Sequence, residues 1–184
     1  MADRPGMETT IAMPPLLRKF VLTAHITFAV SWLGAVAGFL ALAIVGLKSQ
    51  DTQVMNSAYL GMDVIARFII LPLSFAPLVT GPILSLGTPW GLFRHYWILA
   101  KLFITILSTF ILLIHMQPIS HLSHLAMDGI LAGADSSLRI QMVAASGAAV
   151  MALLVATALA VYKPRGMTAY GWRKQYEERI PPQT

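Results

Sequence analysis

The chain has 184 residues, 57% of them apolar and only 11% charged, with a mean hydropathy of +0.69. A soluble domain carries about 25% charged residues, so composition argues against a soluble enzyme and for a protein solvated by lipid. With no Cys the chain has no disulfides, no Cys-ligated zinc, no iron–sulfur cluster and no thiol catalysis, and its net charge of +5 bears on membrane orientation rather than on nucleic acid.

In chain order, residues 1–15 read as a polar, Pro-containing tail, and the first apolar run extends from about Leu17 to Leu47. Arg18 and Lys19 precede a run far longer than the roughly 7–15-residue core of a signal peptide, so this span is expected to be retained. After a short loop at 48–57, a second span runs from about Tyr59 to Leu86, and a third from about Trp90 to Met116. A longer loop is expected over 117–137, with room for a short interfacial helix, and a fourth span from about Leu138 to Tyr162. Each run exceeds the roughly 20 residues that cross a bilayer. The expected organisation is an N-tail (1–15), an all-α transmembrane four-helix bundle (16–163) and a polar C-tail (164–184).

Lys and Arg set the orientation. Arg4, Arg18, Lys19, Arg94, Lys163, Arg165, Arg173, Lys174 and Arg179 fall on one side, against Lys48 and Arg139 on the other. Nine against two predicts both termini in the cytoplasm. Gly34 and Gly38, and the run Ala144 to Ala149, are small-residue faces of the kind that let helix backbones approach closely.

Polar side chains at membrane depth are costly and are candidates for function. His25 lies within the first span, and Trp32 follows seven residues later on the same face. His25 is either bonded to a neighbouring helix or an axial ligand to haem or another metal. In the third span Arg94, Lys101, Ser108 and His115 recur every seven residues as a polar stripe. Lys101 either snorkels to the headgroups or faces the interior at nearly the depth of His25. Pro72, Pro77 and Pro82 in the second span each remove a helix hydrogen bond, which either kinks the span and opens a cavity or reflects only the frequency of Pro in membrane helices. Asp63 and Arg67 stand one turn apart, paired with each other or leaving Arg67 for a carboxylate such as a haem propionate. On the outer side His115, His121 and His124 cluster with Met116 and Met127, a donor set that suits copper or that is simply solvated.

The stretch LTAHITFAVSWLGAVAGFL resembles the first helix of the HemJ-type protoporphyrinogen oxidase family, a His followed seven residues on by a Trp and then a small residue, here His25, Trp32 and Gly34. RFIILPLSFAPLVTG resembles its second helix through Arg67, Pro72 and Gly81, and HYWILAKLFITIL its third through Lys101. LGTPWGLFRHYWILAKL is also similar to the copper-resistance D domain, through Thr88, Trp90, Gly91 and Lys101. The tail YKPRGMTAYGWRK resembles a family of uncharacterised predicted integral-membrane proteins of the same size. Phe39 to Leu47 lack the Pro, Arg and second His of the HemJ pattern, so the likeness bears on haem binding more than on porphyrinogen oxidation.

The resemblance implies a haem b protein of the bacterial cytoplasmic (inner) membrane with an oxidoreductase or electron-transfer role. In that reading His25 is an axial ligand, Lys101 is a second ligand or propionate partner, and Trp32 and Arg67 bound the site. The alternatives are a HemJ-like oxidase, a copper-handling protein using His115, His121 and His124, and a cofactor-free assembly subunit. The expected partners are the lipid bilayer, a membrane redox protein and a second copy of the chain, and not nucleic acid.

Overall fold

The computed structural model describes residues 13–87, 91–131, 136–164 and 166–179. These residues are helical, joined by short connections and one isolated bridge between His95 and Met167. Helix α1 spans Pro15–Lys48 and α2 spans Thr52–Ile65. A π-helical turn, Ala66–Ile70, leads without a break into α3, Leu71–Leu86. Helix α4 spans Tyr96–Met127, α5 Ser136–Tyr162 and α6 Ala169–Arg179. Four helical rods, Pro15–Lys48, Thr52–Leu86, Tyr96–Met127 and Ser136–Tyr162, are long and apolar enough to cross a membrane. Thr88, Trp90, Arg4 and Arg165 lie outside the described residues.

Three elements depart from the expected boundaries, each for a local reason. Helix α2 starts at Thr52 because the Asp51 carboxylate accepts from the N–H of Gln53 at 2.8 Å and of Val54 at 3.4 Å, satisfying donors a helix start leaves open. Helix α4 does not stop near Met116 but continues to Met127. Its last turns are amphipathic: Ile119, Leu122 and Ala126 are buried, while His121 and His124 are exposed. The fall in hydropathy after Met116 therefore marks a change from a lipid-facing to a one-sided helix, not its end. The C-tail carries α6, which is docked: the Thr168 N–H donates to the Arg94 carbonyl at 3.0 Å, and the Thr168 hydroxyl accepts from the Gly171 N–H at 3.0 Å.

The π turn sits directly before Pro72, whose ring nitrogen has no hydrogen for the carbonyl of Phe68. The widened turn accommodates the missing bond inside one continuous span.

Helix α1 packs against α2, α3 and α5, and α4 against α2, α3 and α5, so the spans close a ring in which sequence neighbours are antiparallel. At one end, called here the tail end, Met13 lies against Gly87 and residues 166–171 against the 93–96 segment. The opposite end is closed by Arg139, which donates to the carbonyls of Gly46 at 2.6 Å and Leu47 at 3.4 Å, the open carbonyls at the end of α1. The tightest packing is near the Arg139 end, where Tyr59, Met62, Leu122, Leu131 and Met142 are fully buried.

The small-residue expectation fails at its glycines. A methyl at Gly34, Gly38 or Gly147 meets nothing within 4 Å, so none of these glycines seats a neighbouring helix. The close approach is at Gly46 instead, where an added Cβ lies 2.7 Å from the Tyr59 ring.

Candidate functional site

His25 sits on α1 in the tail-end half of the bundle, facing α3. Its Nδ1 is 2.8 Å from the Thr80 hydroxyl oxygen. That hydroxyl has one hydrogen, which it donates to the Ala76 carbonyl one turn back, also at 2.8 Å. Thr80 thus accepts from His25, and Nδ1 carries the proton. In its neutral form the ring then keeps its lone pair on Nε2. Gly81 follows Thr80 and lies against the ring, its hypothetical Cβ 3.4 Å from His25 Cε1.

Lys101, one turn into α4, holds its ammonium 4.9 Å from the centre of the Trp97 ring, a cation–π contact. It is within electrostatic reach of both His25 and Lys163, the left-handed residue that ends α5. His25, Thr80 and Gly81 thus meet between two spanning rods, with Lys101 and Lys163 within electrostatic reach. Depth along the helices points to His25 and Lys101 together, and the Lys101 ammonium reaches back one turn to Trp97, toward the tail end. Thr80 and Lys163 were not singled out, although Thr80 adjoins Gly81 about four turns beyond Arg67 in the span the resemblance already marked.

The other candidates separate from this cluster. Trp32 is buried and forms one wall of an apolar cavity between α1, α4 and α5, and its indole N–H has no hydrogen-bond partner. Arg67 lies about 20 Å along the span from Gly81, which puts it toward the Arg139 end. There its Nε is 2.9 Å from both Asp63 carboxylate oxygens, and its terminal nitrogen donates to Ser120. Its Nε and one terminal nitrogen are engaged there, far along the span from Gly81, so the structure does not bring Arg67 to His25.

The stripe on α4 divides. Ser108 and His115 line the cavity, whereas Lys101 belongs to the His25 cluster and Arg94 precedes the helix. His121 and His124 share the exposed face of the α4 extension, while His115 is turned to its own helix, with Nδ1 2.8 Å from the Ile111 carbonyl. Among the described residues no three His, Asp or Glu side chains come together as a metal site. The cavity itself touches the Pro-rich span only at Ile70, so the prolines are not what opens it.

No protein-family model, no curated protein and no solved structure matches the chain. The site's own chemistry is a neutral imidazole lone pair at membrane depth with a cationic side chain beside it. Such a pair can ligate a metal ion or accept a proton, next to a group that attracts a carboxylate.

Proposed function

We propose that the chain is an integral haem b-binding protein of the bacterial cytoplasmic membrane with a redox or electron-transfer role. The observation that carries this reading is the Thr80–His25 hydrogen bond. Histidines that ligate metals usually donate their second ring N–H to a fixed acceptor, which sets the tautomer and aims the free nitrogen. Thr80, itself tied to Ala76, is such an acceptor. The donor set fits the group: His25 Nε2 for the iron, Lys101 for a propionate carboxylate, and Gly81 leaving the imidazole edge clear. Trp97 holds Lys101 by its face, an interaction with a cation, which suits carboxylate binding. Haem bound there supplies one-electron chemistry, its potential set by the ligand and by the dryness of the surroundings.

The test is the absorption spectrum of the detergent-purified protein. We expect a Soret band in the wild type and its loss in His25→Ala, with the variant still inserted in the membrane. Thr80→Val, which keeps the shape and removes the acceptor, is expected to weaken haem affinity about tenfold or more. Lys101→Met is expected to change the spectrum or lower the occupancy. Arg67→Gln, His121→Ala and His124→Ala are expected to leave the band unchanged. A colourless wild type, or a full Soret band in His25→Ala, overturns the reading and favours a cofactor-free assembly subunit.

A further inference from the structure

The cavity walled by Trp32 is separate from the His25 cluster and has its own chemistry. Its volume is about 320 Å³. Helix α4 lines it from Ile104 to Ile119, which makes it a slot on the order of 20 Å long. The space exists because α5 presents Ala145, Ala148, Ala149 and Ala152 toward it, side chains too short to reach α4.

The few polar groups in the slot are ordered along it. His115 is near the Arg139 end. Its Nδ1 lies 2.8 Å from the Ile111 carbonyl, which can only accept, so Nδ1 carries a proton and the neutral form of the ring keeps its lone pair on Nε2. Ser146 donates its one hydrogen to the Met142 carbonyl at 2.7 Å and keeps lone pairs. Ser108 is the one polar side chain toward the opposite end, at Ile104 and Leu153, and the Trp32 indole N–H adds a donor to the wall. The slot thus offers the His115 and Ser146 acceptors toward the Arg139 end and mostly hydrocarbon toward Ile104 and Leu153. Water satisfies acceptors at a surface; inside an apolar slot a ligand hydroxyl does so at lower desolvation cost.

We propose that this slot binds a single-chain lipid with a hydroxyl-bearing head, the hydroxyl donating to His115 Nε2 and the chain lying along the α5 alanines. Both an isoprenoid quinol and a monoacylglycerol have this chemistry. The proposal is independent of haem at His25, since no residue is shared between the two sites.

The test is photolabelling of the full-length protein in detergent with hexadecanol carrying a diazirine at its far end. Labelling is expected at the apolar end of the slot, around Ile104 and Leu153, and excess unlabelled hexadecanol is expected to suppress it. The matching alkane, which lacks the hydroxyl, should label the slot at least fivefold less. His115→Leu should reduce alcohol labelling by a similar factor, and His115→Gln, which keeps an acceptor, should largely restore it. Competition by a decyl hydroquinone alone assigns the ligand to the quinols, and competition by a monoacylglycerol alone to the glycerides. Failure of both competitors, equal labelling by alkane and alcohol in the wild type, or label confined to lipid-facing Phe103 and Phe110 overturns the proposal. The alkane comparison needs no variant, so the outcome stands even if a His115 substitution misfolds.

Discussion

Arg139 and Gly46 show how much one residue can decide at the end of this bundle. The last carbonyls of α1 have no partner within the helix. The guanidinium of Arg139 reaches from α5 to two of them, and its Cζ lies 5.8 Å from the centre of the Tyr59 ring. A cation at a helix C-terminus is favoured by the helix dipole, and a hydrogen bond from a charged donor contributes about 1.5–3 kcal/mol. Arg139→Met is therefore expected to lower stability by about 2 kcal/mol, read as a lower melting midpoint in detergent, with any haem spectrum unchanged. An Arg139→Met melt equal to wild type would remove its capping role. Gly46 gives a sharper contrast. Its missing side chain lets α1 approach Tyr59, which is 1% exposed and has nowhere to retreat. Gly46→Ala should cost about 1–3 kcal/mol by overpacking. Gly34→Ala and Gly38→Ala meet open space and should be neutral or slightly stabilising, since Ala is the better helix former by about 1 kcal/mol. The same melts rank the three variants, and a Gly34 or Gly38 cost equal to that of Gly46 would contradict the packing. Sequence spacing suggested the wrong glycines because a small-residue pair shows where a helix can come close, whereas a neighbour is needed for it to do so.

At the scale of elements, the apolar spans were legible from hydropathy and the polar extensions were not. Each span core is a long run of residues that face lipid or other helices alike, a signal that needs no partner to be read. The start of α2 and the end of α4 lie beyond those runs. They are helical because each buries one stripe in the shared core, Met55, Tyr59 and Met62 on α2 and Ile119, Leu122 and Ala126 on α4. Neither stripe specifies its partner when read singly. Helix α6 is hidden for another reason, since its composition is that of a polar tail and its attachment is by backbone and the Thr168 hydroxyl. Gly171 lies so close to the 93–95 segment that an added Cβ would be 2.5 Å from the Arg94 carbonyl oxygen. Gly171→Ala is expected to undock α6 without disturbing the spans. Trypsin should then cleave at Arg173 and Lys174 several-fold faster, while the melting midpoint of the bundle stays near that of the wild type. Unchanged cleavage would mean that α6 is held by contacts other than this one.

For the whole molecule, the candidate site was legible only in part, and the limit was again pairing. The depths of His25 and Lys101 can be counted along their helices, so their similar level in the bundle is legible in the sequence. The hydrogen bond that orients His25 comes from the third of the Pro-rich turns in a different span, and no spacing within one helix encodes it. The association of the 91–96 segment with residues 166–171 also constrains topology. It fixes the α3–α4 connection, the end of α5 and α6 at one end of the bundle, and Met13 against Gly87 adds the start of α1 to that end. Whichever side of the membrane this end occupies, both tails and that connection go together. Among the described residues these segments hold Arg18, Lys19, Arg94, Lys163, Arg173, Lys174 and Arg179, against Lys48 and Arg139 at the other end. Arg139 is moreover turned onto backbone carbonyls, where its charge is partly met from within the protein. Basic segments close to spans are retained in the cytoplasm, so the tail end is expected there. A green fluorescent protein fused after Thr184 should fluoresce in bacterial cells, and an alkaline phosphatase fused at the same place should be inactive. An active phosphatase with a dark fluorescent fusion would invert the orientation, and it would place the His25 cluster in the outer half of the membrane and the His115 end of the slot in the inner half.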